Sequence, residues 1–359
     1  MPLQPLRMVD ANLNRSSEGL RVLEDVARFL LNDAQLSQQL RAIRHDLTQK
    51  TRLLDTGLLS QRDSEHDTGA GRDNVSYEGE AKQSQQDMVG IVIANAKRVE
   101  ESLRVLEELS KLPEINLGLY SDDFKRARFT LYTLERDLVS KILRRDKLEQ
   151  ISGLYVILDR QVLAGKDEVA VASQIIRGGA KVIQLRDKQG SKRELLVVAQ
   201  KLKDICGQFD VLFIINDYID LVVAVDADGL HVGQGDLPVS VIRRELPIDK
   251  IVGCSVNMLS QAIRAEKEGA DYIAVGSIFP TTTKEHATVV GVDVIKEIKR
   301  TVSNPLVAIG GINKDNIEET VAAGADSMAV ISAVLCEEDI QGAVQQLITK
   351  ISVMQNGEG

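Results

Sequence analysis

The sequence has no long apolar run and few cysteines. No stretch approaches the roughly 18 consecutive apolar residues of a membrane-spanning helix, and the start lacks the cationic and apolar regions of a secretory signal. We therefore expect a cytoplasmic protein that binds no membrane. The three cysteines, Cys206, Cys254 and Cys336, are widely spaced, which argues against a disulfide framework or a zinc site.

Positive charge is also scarce. The 359 residues carry a net charge of -9, whereas nucleic-acid binding depends on clustered lysine and arginine. A nucleic-acid partner is therefore not expected, and any anion site must be local. The remaining composition is ordinary for a globular protein, and the length suffices for two domains.

Residues 1–147 have a helical pattern, because apolar residues recur every three or four positions. They also contain a repeat: ANLNRSSEGLRVLED from Ala11 returns 83 residues later as ANAKRVEESLRVLEE from Ala94. The repeats, near 11–60 and 94–145, predict a duplicated all-α bundle. The polar, glycine-rich segment near 61–84 predicts a long loop between them.

Residues 148–359 have a different pattern, in which short runs rich in valine and isoleucine alternate with amphipathic segments. Eight such runs are candidate strands: GLYVILD, KVIQLR, VLFIIND, GLHVG, IVGCSV, YIAVGS, PLVAIGG and SMAVIS. Eight βα units predict an α/β fold of the TIM (β/α)8 barrel type, with a doubly wound open sheet as the alternative. Polar motifs after most strands favour the barrel, since an open sheet usually binds its ligand at one switch point.

Charged residues at the first strand ends predict a metal–diphosphate site. Arg186 and Lys188 follow the second strand and suit a diphosphate. Asp217 and Asp236 follow the third and fourth strands, and Mg²⁺ is typically held by one or two carboxylates together with phosphate oxygens. Taken singly, these residues could also be a solvated charge cluster and helix caps.

The later strand ends predict hydrogen-bonding and phosphate-binding groups. Ser255 ends the fifth strand and is expected to donate a hydrogen bond to substrate, because no GxSxG elbow is present. The most specific motif is PTTTK, in which three hydroxyls precede Lys284 on a loop long enough to cover a substrate. Gly310 and Gly311 after strand seven, and Ile331 with Ser332 after strand eight, complete a typical barrel phosphate site. His231 is interpreted as a packed or hydrogen-bonding barrel residue.

In this order, QLRDK, ND, GQGD, the strand-five serine, FPTTTKEHA, AIGGI and VIS resemble the thiamine-phosphate synthase family over residues 151–350. The resemblance implies a transferase of thiamine biosynthesis. It would join 4-amino-5-hydroxymethyl-2-methylpyrimidine diphosphate to 4-methyl-5-(2-phosphoethyl)thiazole, or its 2-carboxy form, in a dissociative, Mg²⁺-assisted reaction that releases diphosphate. A phosphate-binding sensor without catalysis is the alternative.

The resemblance also implies roles for individual residues. It implies catalytic roles for Arg186, Lys188, Ser255 and Lys284. It implies contacts with the pyrimidine diphosphate for Gln184, Leu185, Arg186, Asp187, Lys188, Asn216, Ser255 and Lys284. It implies contacts with the thiazole phosphate for Thr281, Thr282, Thr283, Gly311, Ile331 and Ser332, and Mg²⁺ binding for Asp217 and Asp236.

The helical region resembles a domain fused ahead of this synthase in some bacteria, for which a hydroxymethylpyrimidine-phosphate kinase role has been proposed. No Walker loop is present, so a kinase, a sensor and a bundle that promotes homo-oligomerisation stay open. The repeated pattern N-x-x-R-x-x-E-x-x-R predicts either a polar site or an inter-helix salt-bridge network. The loop adds the candidates Arg62, Asp63, His66, Asp67 and Arg72.

Overall fold

The computed structural model describes residues 4–51, 58, 87–113, 115, 120–281 and 288–356. The chain divides into two compact units, Met1–Leu143 and Arg144–Gly359. That 1–147 and 148–359 are separate domains stays a prediction. The candidates on the loop near 61–84, and Thr282, Thr283 and Lys284, lie outside the described residues.

The described part of the first unit is helical, as the pattern predicts. Its helices are α1 (Gln4–Asp25), α2 (Ala34–Thr51), α3 (Met88–Leu109) and α4 (Ser121–Glu149), and a π-helical segment, Val26–Leu30, follows α1. Asp87 caps α3, since its carboxylate accepts a hydrogen bond from the backbone N–H of Gly90 at 2.7 Å. The apolar stripes of these helices face one core, in which Leu20, Leu23 and Leu103 are fully buried.

Both repeats contain the same inter-helix ion pair. Glu24 on α1 accepts from Arg44 on α2 at 2.8 Å, and Glu107 on α3 accepts from Arg128 on α4 at 2.9 Å. Burial by itself would raise the pKa of Glu107, but the hydrogen bond from Arg128 and the charge of Arg104 outweigh it and hold that pKa below its usual value. Each repeat therefore joins its two helices by one partly buried charged contact.

The second unit is a closed barrel of eight parallel strands that pair in chain order. Its strands are β1 (Gly153–Asp159), β2 (Val182–Arg186), β3 (Leu212–Asn216), β4 (Gly229–Val232), β5 (Ile251–Val256), β6 (Tyr272–Val275), β7 (Leu306–Ile309) and β8 (Ser327–Val330). Closure is direct, since Gly153 on β1 pairs with Ser327 on β8. The predicted TIM barrel is confirmed, and the open sheet is excluded.

Helices follow the strands and cover the outside of the barrel. They are α5 (Arg160–Leu163), α6 (Glu168–Gly178), α7 (Lys192–Gln208), α8 (Ile219–Ala224), α9 (Val239–Glu245), α10 (Leu259–Glu268), α11 (Asp293–Lys299), α12 (Ile317–Ala322), α13 (Ser332–Leu335) and α14 (Ile340–Asn356). Cys206 and Cys254 are buried free thiols, whereas Cys336 is exposed. None of the helices in the described ranges is long and apolar enough to cross a membrane.

The barrel interior depends on a glycine. Gly253 on β5 pairs with Tyr272 on β6, and both Tyr272 and Tyr155 are fully buried inside the barrel. A Cβ at position 253 would lie 2.0 Å from Cζ of Tyr272 and 2.4 Å from its hydroxyl oxygen. The absence of a side chain at Gly253 thus makes room for the Tyr272 ring.

We expect Gly253→Ala to lower the free energy of unfolding by about 1–3 kcal/mol, the usual cost of overpacking a core. Urea unfolding of the full chain measures the change when it is monitored by a signal that comes from the barrel alone. Gly207→Ala is the matched control, because nothing lies within 4 Å of a Cβ at that position. Equal stability of the Gly253→Ala variant and the wild-type protein would contradict the packing argument.

Candidate active site

A cavity of about 520 Å³ opens at the carboxyl ends of the barrel strands. Most residues predicted from strand ends line it, although they come from widely separated positions in the chain. The predicted residues found there are Gln184, Arg186, Lys188, Asn216, Asp217, Asp236, Ser255, Thr281, Gly311, Ile331 and Ser332. The parallel barrel brings them together because all its strands end on the same face.

Two predicted contacts, Leu185 and Asp187, do not line this cavity. Successive side chains of a strand point to opposite faces, so Gln184 faces the interior while Leu185 is buried in the core outside the strands. Asp187 is held by Arg160 at 2.7 Å and accepts hydrogen bonds from two backbone N–H groups of its own loop. The side chain of Leu185 therefore packs the core and that of Asp187 orders the loop after β2. The substrate contacts implied for these two residues stay a prediction.

The cations at the end of β2 are positioned by carboxylates. Arg186 forms an ion pair with Asp159, which ends β1 and is buried. Burial by itself would raise the pKa of Asp187, but hydrogen bonds from the loop backbone and from Arg160 outweigh it, so the pKa lies below its usual value. Asp187 is thus ionised at neutral pH and orders the loop that carries Lys188.

Asp217 and Asp236 lie close to each other at the mouth of the cavity. Burial, and next the charge of Asp236, raise the pKa of Asp217 to about 6, while Lys188 and Arg186 act in the opposite direction. A pair of neighbouring carboxylates is a suitable environment for a cation. The backbone of Asp217 is left-handed, with φ 64°, a conformation that aspartate tolerates better than most residues.

A chain of buried hydrogen bonds crosses the floor of the cavity. The amide of Gln184 donates to the Tyr155 hydroxyl at 2.8 Å, and that hydroxyl lies 3.1 Å from the hydroxyl of Tyr272. The Tyr272 hydroxyl lies 3.0 Å from Nδ1 of His231, whose Nε2 lies 2.8 Å from Oγ of Ser255. We call these five residues the floor relay.

The floor relay has two possible proton arrangements. Tyr155 accepts from Gln184 and, because a hydroxyl has one proton and two lone pairs, its bond with Tyr272 can run in either direction. Burial lowers the pKa of His231 to about 4, so the ring is neutral and donates from one nitrogen only, either Nδ1 to Tyr272 or Nε2 to Ser255. When Nε2 carries the proton, the hydroxyl proton of Ser255 is available for a ligand in the cavity.

Sequence reasoning missed the relay tyrosines. Tyr155 and Tyr272 stand within apolar strand runs, and only their inward position and their polar ends distinguish them. It also missed Asn257, Ser277 and Thr288, which line the cavity. His231 is a hydrogen-bonding barrel residue, as predicted.

Gly310 and Gly311 have a packing role in addition to the predicted one. A Cβ at Gly310 would lie 2.1 Å from Oγ of Ser277, and one at Gly311 would lie 2.4 Å from the carbonyl oxygen of Pro280. The backbone N–H of Phe279 donates to the carbonyl of Gly310 at 3.0 Å. The two glycines therefore allow the loop after β6 to pack against the end of β7.

An eight-stranded barrel with paired cations, paired carboxylates and a double glycine at its carboxyl face is typical of TIM-barrel enzymes that bind phosphate esters. The family profile described as thiamine monophosphate synthase matches residues 154–334, and that of the ThiD2 family matches residues 7–137. A thiamine-phosphate synthase of Synechocystis sp. is 36% identical over 352 residues, covering 98% of this chain and 97% of its own length. One of Thermosynechococcus vestitus is 35% identical and covers 96% of this chain and 95% of its own length.

A solved structure described as thiamine phosphate pyrophosphorylase from Pyrococcus furiosus is 40% identical, with a TM-score of 0.53, and covers 57% of this chain and 97% of its own length. The chain belongs to the thiamine-phosphate synthase family and carries an N-terminal ThiD2 domain. It is an enzyme of thiamine biosynthesis in class EC 2.5.1.3.

The buried ring of His231 predicts a characteristic pH dependence. The ring should stay neutral until the pH falls to about 4. Unfolded histidine binds a proton below about pH 6.5, so the free energy of unfolding should decrease as the pH falls from about 6.5 to 4. NMR titration of the imidazole nitrogens measures the midpoint, with the signal assigned by its loss in His231→Gln. A midpoint near 6.5 would contradict the relay.

Proposed function

We propose that the barrel joins 4-amino-5-hydroxymethyl-2-methylpyrimidine diphosphate to 4-methyl-5-(2-phosphoethyl)thiazole, or its 2-carboxy form. The observation that carries this proposal is the grouping of Arg186, Lys188, Asp217 and Asp236 on one side of a single cavity. Cations and carboxylates so arranged suit a leaving diphosphate. The described lining of the cavity supplies cations and hydrogen-bonding groups to a leaving group, which suits a dissociative reaction.

Two carboxylates fit a magnesium ion at this site. Burial, and next the charge of Asp236, raise the pKa of Asp217, and a cation between the two carboxylates would offset both effects. No group of three or more acidic, histidine or cysteine side chains suited to a metal occurs among the described residues, so water and phosphate oxygens would complete the coordination. Bound by Asp217 and Asp236, Mg²⁺ would neutralise negative charge on the diphosphate.

We assign the residues of the cavity, together with Thr282, Thr283 and Lys284 outside the described residues, to the two substrates. Arg186, Lys188 and Lys284 bind the diphosphate, and Gln184, Asn216 and Ser255 bind the pyrimidine. With the proton of the neutral His231 ring on Nε2, Ser255 would donate its hydroxyl proton to the pyrimidine. The thiazole phosphate is bound by Thr281, Thr282, Thr283, Gly311, Ile331 and Ser332, where a helix N-terminus and backbone N–H groups favour an anion.

Asp217→Ala should reduce the rate of diphosphate release by roughly 100-fold or more, the loss typical of removing one charge-stabilising group. The protein should remain folded, since burial already disfavours the ionised carboxylate. A coupled diphosphate assay with both substrates and Mg²⁺ measures the rate.

Asp220→Ala is the matched control. Asp220 is exposed, pairs with Lys192 at 2.8 Å and does not line the cavity. A near wild-type rate for Asp217→Ala, or an equal loss in Asp220→Ala, would contradict the site assignment.

For the ThiD2 domain we propose a kinase that supplies the pyrimidine diphosphate. The terminal phosphoryl group of ATP would move to a phosphate oxygen of the pyrimidine monophosphate, forming a P–O–P bond while ADP leaves. The support is a cavity of about 630 Å³ between α1 and α3 that contains two arginines, a volume within the range of small-molecule sites. Homo-oligomerisation stays a prediction.

The full chain with ATP, Mg²⁺ and pyrimidine monophosphate should form the diphosphate. In the Asp217→Ala variant the diphosphate should accumulate, whereas the wild-type chain with added thiazole phosphate should convert it to thiamine phosphate. Liquid chromatography of both mixtures, with ATP omitted as the control, measures the products. Failure to detect the diphosphate or its product in either mixture would exclude the kinase.

A further inference from the structure

The cavity between α1 and α3, called here the paired cavity, is built from the same five positions of both repeats. Each lining position on α1 recurs 83 residues later on α3. The lining residues are Asn12 and Asn95, Arg15 and Arg98, Glu18 and Glu101, Gly19 and Ser102, and Val22 and Val105. Two copies of one helix face can meet in this way only when they are related by a two-fold rotation.

The helices approach closely at the cavity. A Cβ at Gly19 would lie 2.6 Å from Cγ2 of Val99 and 3.2 Å from the carbonyl oxygen of Asn95. A larger residue at position 19 would force α1 and α3 apart. The floor of the paired cavity is therefore fixed by backbone packing.

The charged residues of the paired cavity are not used for structure. The ion pairs that join helices within each repeat involve Glu24 and Glu107, which do not line the cavity. By contrast, Arg15 and Arg98 make no hydrogen bond or ion pair with another described residue, and neither do Glu18 and Glu101. A structural network thus exists in this domain, and it leaves these four side chains available for a ligand.

The asparagines add oriented acceptors. The amide of Asn12 donates to the carbonyl of Met8 at 2.7 Å, and that of Asn95 donates to the carbonyl of Ile91 at 2.8 Å. These bonds hold both amide groups against their own helices. The side-chain oxygens of Asn12 and Asn95 remain as acceptors without a partner among the described residues.

The lining has a specific chemistry. Two guanidinium groups suit phosphate oxygens, while two carboxylates and two amide oxygens accept from amino or hydroxyl groups. Val22 and Val105 add apolar surface for a ring. This combination matches a phosphomonoester of an amino-substituted ring.

We infer that the paired cavity binds the pyrimidine monophosphate, with its phosphate on Arg15 and Arg98. The inference rests on the proposed kinase for the choice of ligand and names the site at which that substrate binds. The phosphates of ATP could also bind to the two arginines. Separate KM values for the monophosphate and for ATP distinguish these two ligands.

The test compares Arg15→Gln, Arg98→Gln and the control Arg21→Gln in the full chain. Arg21 is exposed on α1, like Arg15, and does not line the cavity. Both lining variants should raise the KM for the monophosphate at least tenfold and leave the KM for ATP and the synthase rate unchanged. Arg21→Gln should match the wild-type chain.

A KM for the monophosphate within twofold of wild type in both lining variants would overturn the inference. An effect on the KM for ATP alone would also overturn it, because the cavity would then hold the nucleotide.

A binding measurement keeps the site testable if no kinase activity is found. Equilibrium dialysis with labelled pyrimidine monophosphate should show one bound equivalent fewer for Arg15→Gln and Arg98→Gln than for the wild-type chain, because any binding in the barrel is common to all. This result without turnover would support the site while the proposed kinase fails. Equal stoichiometry in all variants would overturn the site.

Discussion

The floor relay is the constraint on which the barrel site depends. A closed barrel of this size has a filled interior, and here the filling includes two tyrosines and a histidine whose polar atoms must all find partners. Their hydrogen bonds run without a break from Gln184 to Ser255, both of which line the cavity. The packing of the barrel interior and the orientation of the site residues thus depend on one hydrogen-bond network. Gly253 makes this network possible by leaving room for the Tyr272 ring.

The fold could be predicted from the sequence because apolar residues recur with clearly different spacings in its strands and its helices. All eight candidate strands form, with ends that differ from the predicted ones by a residue or two, as at KVIQLR and PLVAIGG. The site could be located because a parallel barrel places every strand end on one face. Leu185 shows the limit: a motif read as one block ignores the alternation of side chains along a strand, which directs this residue into the core.

Pairing across the barrel could not be predicted from a single sequence. Tyr155 and Tyr272 are 117 positions apart, and only the closed topology brings their hydroxyl groups together. The same is true of Arg160 and Asp187, whose ion pair supports the loop after β2. In the helical domain the repeat predicts either a salt-bridge network or a polar site, and the structure contains both an ion pair per repeat and a polar cavity at different positions of the same helices.

The duplication leaves the paired cavity almost unable to distinguish its two ends. Four of its five position pairs are identical, so turning the cavity by half a turn exchanges like with like, except that Gly19 exchanges with Ser102. A ligand without two-fold symmetry would bind there in two orientations of nearly equal free energy unless a difference between the repeats favours one of them. Among the described residues of the lining, the hydroxyl of Ser102 is the one group that one repeat possesses and the other lacks. The difference between Gly19 and Ser102 would therefore set the orientation in which an asymmetric ligand is held.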